Sequence, residues 1–329
     1  MNRLTSPNYP LWIGAALLGF FLIIAVVGPR LSPFEPVEIL TDVFRVGDQA
    51  YIPSVRPVPP FTLDDVILGT DIAGRDLLSR LLWAVRPTLI LCALIAGLRI
   101  LLGLILGLIA GWFDGPARRL IEVLIQVCLA VPILLFALAV TSYSEARELP
   151  IFILALTATG WAGTAVFVRN STLLIKREPY IEGARAAGAS PGRILSRHVV
   201  PQLWPALPAL ISFELAATLL VVGELGFLGQ FIGEVFVIMG RSGDINDAPI
   251  GITANYPELA QMMSNFWSKM IRTPWEVAFV GITLFLLILA FNLLGEGLRR
   301  QMDVTRGRPF MWRRHPAASA LESQSDKRQ

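Results

Sequence analysis

Residues Tyr180-Ile-Glu-Gly-Ala-Arg-Ala-Ala-Gly-Ala-Ser-Pro-Gly-Arg-Ile-Leu-Ser-Arg-His-Val-Val-Pro201 form a basic segment set between long apolar runs. Glu182 to Ala187 is dense in Ala, Glu and Arg, all good helix formers. Gly188 offers the positive φ that closes a helix, and Ser190-Pro191 is an N-cap followed by proline at the first helical position. The segment therefore predicts two short helices joined by a sharp bend. A rigid elbow in a solvent-facing loop of a membrane protein implies that something docks there.

The flanking runs set the fold class. Hydrophobic residues make up 54% of the 329-residue chain and charged residues only 16%, which places it in the membrane class. Six stretches approach the ~20 residues needed to cross a bilayer, near 11–28, 88–111, 120–142, 149–168, 206–228 and 275–294. The expectation is an all-α, polytopic bundle of six transmembrane helices. The first run follows Arg3 and resembles a signal peptide. It is long for one, and Gly28-Pro29-Arg30 replaces a small-x-small cleavage pattern, so it is read as a span. A net charge of +3 is too small to indicate a nucleic-acid binder. Cys92 and Cys128 fall in apolar runs and read as small hydrophobes, and His198 and His315 lie too far apart in sequence to suggest a metal site.

Charge distribution sets orientation. With the N-terminus cytoplasmic, the inner segments hold Arg118, Arg119, Arg169, Lys176, Arg177, Arg193, Arg197, Arg299, Arg300, Arg313 and Arg314. The other side is richer in acids such as Asp64, Asp65, Asp71 and Asp76. The positive-inside rule thus predicts both termini and the elbow in the cytoplasm. The chain divides into a tail and first span (1–28), an extracytoplasmic loop (29–87), a five-helix core (88–294) and a basic tail (295–329). The core contains the elbow loop 169–205 and a second outer loop, 229–274. The first outer loop is rich in proline (Pro53, Pro57, Pro59, Pro60) and reads as extended chain. Leu77, Leu78, Leu81, Leu82 and Val85 then fall at helical spacing, predicting an amphipathic helix at the outer interface. In the second outer loop, 240–247 is polar and turn-rich, and the end of the chain, 317–329, has the composition of a disordered tail.

Gly103, Gly107 and Gly111 recur every fourth residue, so a neighbouring helix is expected to approach that stripe closely. Arg99 lies within the second run, and Glu214 and Glu224 lie in the fifth. A charge at mid-membrane costs ~2.5–3.5 kcal/mol on insertion scales, so such groups face a partner or a wet cavity. Two readings stand: a polar translocation path, or a pair of Arg99 with Glu214 or Glu224 that locks the helices. The presence of both signs favours the pair. Pro132 and Pro208 are expected kinks. No Walker loop, His-Glu-x-x-His or Gly-x-Ser-x-Gly pattern occurs, so any ATPase belongs to another polypeptide and no catalytic constellation is visible.

Several motifs carry a resemblance. The elbow, with Glu182, Gly188 and Pro201 in register, is similar to the E-A-A…G loop of ABC importer permeases. Leu68-Gly-Thr-Asp-Ile-Ala-Gly-Arg-Asp-Leu-Leu-Ser-Arg80, the Gly103–Gly111 stripe, Glu224-Leu-Gly-Phe-Leu-Gly229 and Phe291-Asn-Leu-Leu-Gly-Glu-Gly-Leu-Arg299 resemble the C-type permease of the dipeptide, oligopeptide and nickel transport family. Gly183 departs from the usual Ala, Val123 and Gln126 replace an Arg and an Asp, Arg99 stands where the family is small or apolar, and loops 34–60 and 231–256 are long. The resemblance implies a type I ABC importer permease in a bacterial inner membrane, working by alternating access. Its implied partners are a second, similar permease, two ATPase subunits and an extracytoplasmic substrate-binding protein. ATP and Mg are implied on the ATPase subunits and no cofactor on this chain. Glu182, Gly183, Ala184, Arg185, Gly188, Ala189, Ser190, Arg193 and Pro201 are the implied docking positions. The competing reading is a self-contained secondary transporter or channel, although no matching inverted halves are visible.

Overall fold

The computed structural model describes residues 8–46, 49–143, 148–232, 235–239, 249–254 and 256–306. Arg3, the polar turn at 240–247 and the tail with Arg313, Arg314 and His315 lie outside the described residues. Five helical stretches are long and apolar enough to cross a membrane: α1 (Tyr9–Leu31), α2 (Leu77–Trp112), α5 (Leu149–Lys176), the run Pro191–Phe227, and the stretch Pro274–Met302 of α12 (Pro274–Arg306). The bent pair of α3 (Pro116–Ala130) and α4 (Ile133–Tyr143), which meet at 82°, has the length and apolarity of a sixth crossing if the two halves form one span. The bend falls where expected. Pro132 has no N–H to donate and drives Val131 into extended backbone (φ −93°, ψ 120°).

Helix α2 runs through the bundle and touches α1, α3 and α5. The glycine stripe explains how close α5 comes. A Cβ added at Gly103 would lie 2.6 Å from Thr164, one at Gly107 2.7 Å from the Ala165 carbonyl, and one at Gly111 2.7 Å from Thr172. Gly14 and Gly297 do the same for α1 against α12, each meeting the other helix's backbone.

The helix expected at the outer interface is not a separate element. It is the start of α2, which passes through Pro87 without ending. Asp76 caps it, its carboxylate accepting from Ser79 N at 2.7 Å. Leu77, Leu81, Ala84 and Val85 then join the main core instead of facing lipid. Helical spacing reveals one apolar face but not what covers it. The loops after α1 and before α12 share the end of the bundle opposite the elbow. Each also carries a two-stranded antiparallel hairpin that was not anticipated: β1 (Phe44–Val46) with β2 (Gln49–Tyr51), and β3 (Val235–Met239) with β4 (Pro249–Ala254). The short apolar run Val235-Phe-Val-Ile-Met239, rich in β-branched residues, is the sequence signal for the second hairpin.

Candidate functional site

The elbow comprises α6 (Pro179–Ala186) and α7 (Pro191–Ile194). Gly188 adopts φ +80°. Ala189 N donates to Ala184 O at 3.1 Å and Gly188 N to Arg185 O at 2.9 Å, which is a complete Schellman closure. Two residues later the Ser190 hydroxyl accepts from Arg193 N at 3.4 Å, and Pro191 begins α7. From there the chain stays helical into the fifth crossing. It passes a π-helical turn (Leu195–Val199), α8 (Val200–Leu203) and a 3-10 turn (Trp204–Ala206) before α9 (Leu207–Phe227). Pro201 and Pro205 each withhold a backbone donor, which breaks regular α pairing through this stretch. Pro208 sits in the first turn of α9, where proline is tolerated, so the irregular turn precedes it instead of kinking the span.

One side of the elbow is bolted down. Ile181, Ile194, Val199 and Leu203 are buried with Trp112 at the end of α2 and with Val168 and Ile175 of α5. Each fully buried branched side chain contributes about 1.5–3 kcal/mol, so the elbow is part of the bundle and not a pendant loop. Sequence reading missed two further anchors. Lys176 Nζ donates to Trp112 O at 2.9 Å and reaches Asp114 at 2.8 Å, and the Arg185 guanidinium sits 5.4 Å from the Trp112 ring. Hydrogen bonds from Lys176, followed by Arg118, hold the exposed Asp114 carboxyl below its ordinary range. The other side is open. Glu182, Gly183, Arg185, Gly188, Ser190, Arg193 and Pro201 are exposed, with Ala184 and Ala189 half-buried beneath them. A Cβ at Gly183 would meet nothing within 4 Å, so the departure from Ala there leaves the fold intact.

Within the bundle the structure separates the three charged candidates. Arg99 is buried, donating Nε to Leu156 O at 2.9 Å and Nη1 to Thr218 Oγ1 at 3.0 Å, with Glu214 Oε1 3.5 Å from Nη1. Gly160 makes the room, since a Cβ there would lie 2.1 Å from Arg99 Nε. Glu224 is not part of this pair and lines a groove elsewhere on α9.

The opposite end holds a buried polar layer that sequence reading did not assemble. Asp71 pairs with Arg75 at 2.7 Å and lies 3.4 Å from Arg80, whose guanidinium donates to Pro36 O at 2.9 Å and to Gln261 at 3.0 Å. Glu258 and Leu259 N meet Thr88 Oγ1 at 3.1 and 3.0 Å, and Lys269 pairs with Glu276 at 2.7 Å. Burial alone would raise the Asp71 carboxyl, but Arg75 and Arg80 overcome it and hold it below its usual value of 3.8. A depressed folded-state pKa contributes stability above the unfolded value and loses it as pH falls through the folded value. The acid limb of thermal stability should therefore fall as pH drops below about 4, and Asp71→Asn should flatten it. An unchanged acid limb in that variant would remove Asp71 as its cause.

Residues 103–304, more than half of the chain, match the family described as binding-protein-dependent transport system inner membrane component. The chain belongs to this family. This permease is 31% identical to the glutathione transport system permease protein GsiD of Pectobacterium atrosepticum, over 72% of its own length and 71% of the relative's. It is 28% identical to the dipeptide transport system permease protein DppC of Haemophilus influenzae over 88% and 89% of the two chains. Its fold is similar to a chain in an inward-facing structure of the MetNI methionine ABC transporter, with a TM-score of 0.50, 17% identity and coverage of 68% of this chain and 95% of that one. The permease is thus a multi-pass inner-membrane subunit of an ATP-driven importer. Family members work with ATPase and substrate-binding partners.

Proposed function

We propose that this permease carries peptides and forms half of the translocation path with a second, similar permease. Two ATPase subunits act on the elbow side, which lies in the cytoplasm with both termini, and a binding protein docks on the hairpin-bearing loops outside. The chain itself binds no nucleotide, Mg or other cofactor and catalyses no reaction. The elbow carries this reading. Its underside is sealed onto the ends of α2 and α5, its exposed side presents Glu182, Gly188, Arg193 and Pro201, and helical backbone continues from Pro191 into the fifth span. Force applied to such a stiff, capped lever reaches the spans instead of being absorbed. The dipeptide and glutathione systems of its relatives support peptide as the cargo class.

The test uses the co-expressed complex in proteoliposomes with its binding protein. Gly188→Val forces a β-branched residue into φ +80°, which costs about 1–2 kcal/mol, and Glu182→Lys inverts the charge on the exposed face. Both variants should insert normally, hydrolyse ATP and lose most peptide uptake. Full uptake in both would overturn the reading.

A further inference from the structure

The two acids of α9 have different fates. Glu214 serves Arg99, whereas the Glu224 carboxylate makes no hydrogen bond or ion pair among the described residues. Ten residues separate them, which is about 15 Å along the helix and about 80° around it. Glu224 therefore faces a different neighbour. That neighbour is a groove of about 570 Å³ between α9 and α12, whose walls include Leu219, Phe227, Met263 and Leu284. Its size falls within the ~300–1,000 Å³ typical of small-ligand sites.

Two glycines mark this groove as built open. Gly223 of α9 and Gly281 of α12 both line it. Unlike the packing glycines of α2, neither is required by a helix contact. A Cβ at Gly281 would meet nothing within 4 Å, and one at Gly223 would meet only Leu284 Cδ1 at 3.6 Å. The small residues keep width where no described residue fills it, beside a carboxylate with no partner among the described residues. A half-exposed carboxylate beside apolar walls can accept a charge-assisted hydrogen bond from a cation.

We propose that this groove is a substrate subsite: Glu224 takes the α-ammonium of an incoming peptide while the first side chain lies against Leu219, Phe227 and Leu284. The α-ammonium is the one cation common to every free peptide. A single carboxylate in an otherwise apolar groove thus suits recognition that ignores sequence. The inference rests on the peptide reading.

The experiment measures uptake of a leucine-first tripeptide by the complete complex in proteoliposomes, each variant against wild type on the same peptide. Glu224→Gln should raise the concentration for half-maximal uptake about tenfold to a hundredfold, with all subunits still co-purifying, and Glu224→Asp should restore most of the loss. Gly281→Leu, which fills the groove but keeps the charge, should impair the leucine-first peptide more than a glycine-first one. Normal uptake in Glu224→Gln overturns the subsite while leaving the peptide reading intact. So does loss of the second permease from the purified complex, which would make the groove a subunit interface. A wild-type complex that takes up no peptide overturns both.

Discussion

Replacing Arg99 by alanine should lower the stability of the solubilised permease by about 3–5 kcal/mol, and Glu214→Gln in the same chain should recover most of that loss. Glu224→Gln should recover none. The asymmetry follows from where the guanidinium sits. It rises from α2, donates to the Leu156 carbonyl of α5 and reaches Thr218 and Glu214 of α9, so one side chain ties three spans. Only 2% of Arg99 is exposed, so its removal strands the Glu214 carboxylate in a site with no other cation within salt-bridge reach among the described residues. Neutralising Glu214 removes the stranded charge, and the remaining deficit is cavity and lost packing. Thermal unfolding of the single and double variants in detergent reads the cycle. Equal rescue by both acids, or by neither, would show that the pair is not a lock.

Gly107→Leu should separate α2 from α5 and cost about 3 kcal/mol or more, the upper end of overpacking penalties. The reason is what the added Cβ would strike: the Ala165 carbonyl at 2.7 Å and the Val168 Cβ at 2.8 Å. A carbonyl inside a helix cannot rotate away as a flexible side-chain tip can, so the helices themselves must part. Gly97→Leu on the same helix is the control, because a Cβ there meets nothing within 4 Å. The expected result is loss of a monodisperse folded peak for Gly107→Leu and near-wild-type behaviour for Gly97→Leu. Equal tolerance at both positions would mean the stripe is not a contact.

Much of this was legible in the chain. Five of the six apolar runs became single long helices, and the sixth became the α3–α4 pair, whose 82° bend Pro132 marked. Gly188 and Ser190-Pro191 marked the elbow because the hydrogen bonds they control span at most five residues. The stripe of Gly103, Gly107 and Gly111 announced a close neighbour without naming α5. The start of α2 was misplaced because an amphipathic period looks the same whether its apolar face meets lipid or protein. The first hairpin was not legible because strands of three residues, Phe44–Val46 and Gln49–Tyr51, are too short to show a period of two.

What sequence alone determined is local and periodic: crossing lengths, caps, breaks, and which residues are too polar to face lipid without a reason. Those properties follow from backbone sterics and from the cost of leaving apolar surface in water, neither of which needs a distant partner. Tertiary structure decided the pairings. Arg80 meets Gln261 across 181 positions of chain, and Arg99 meets Thr218 across 119. It also decided that Arg99 takes Glu214 and leaves Glu224 facing an open groove. Electrostatic choice depends on separation in space, which sequence distance does not encode.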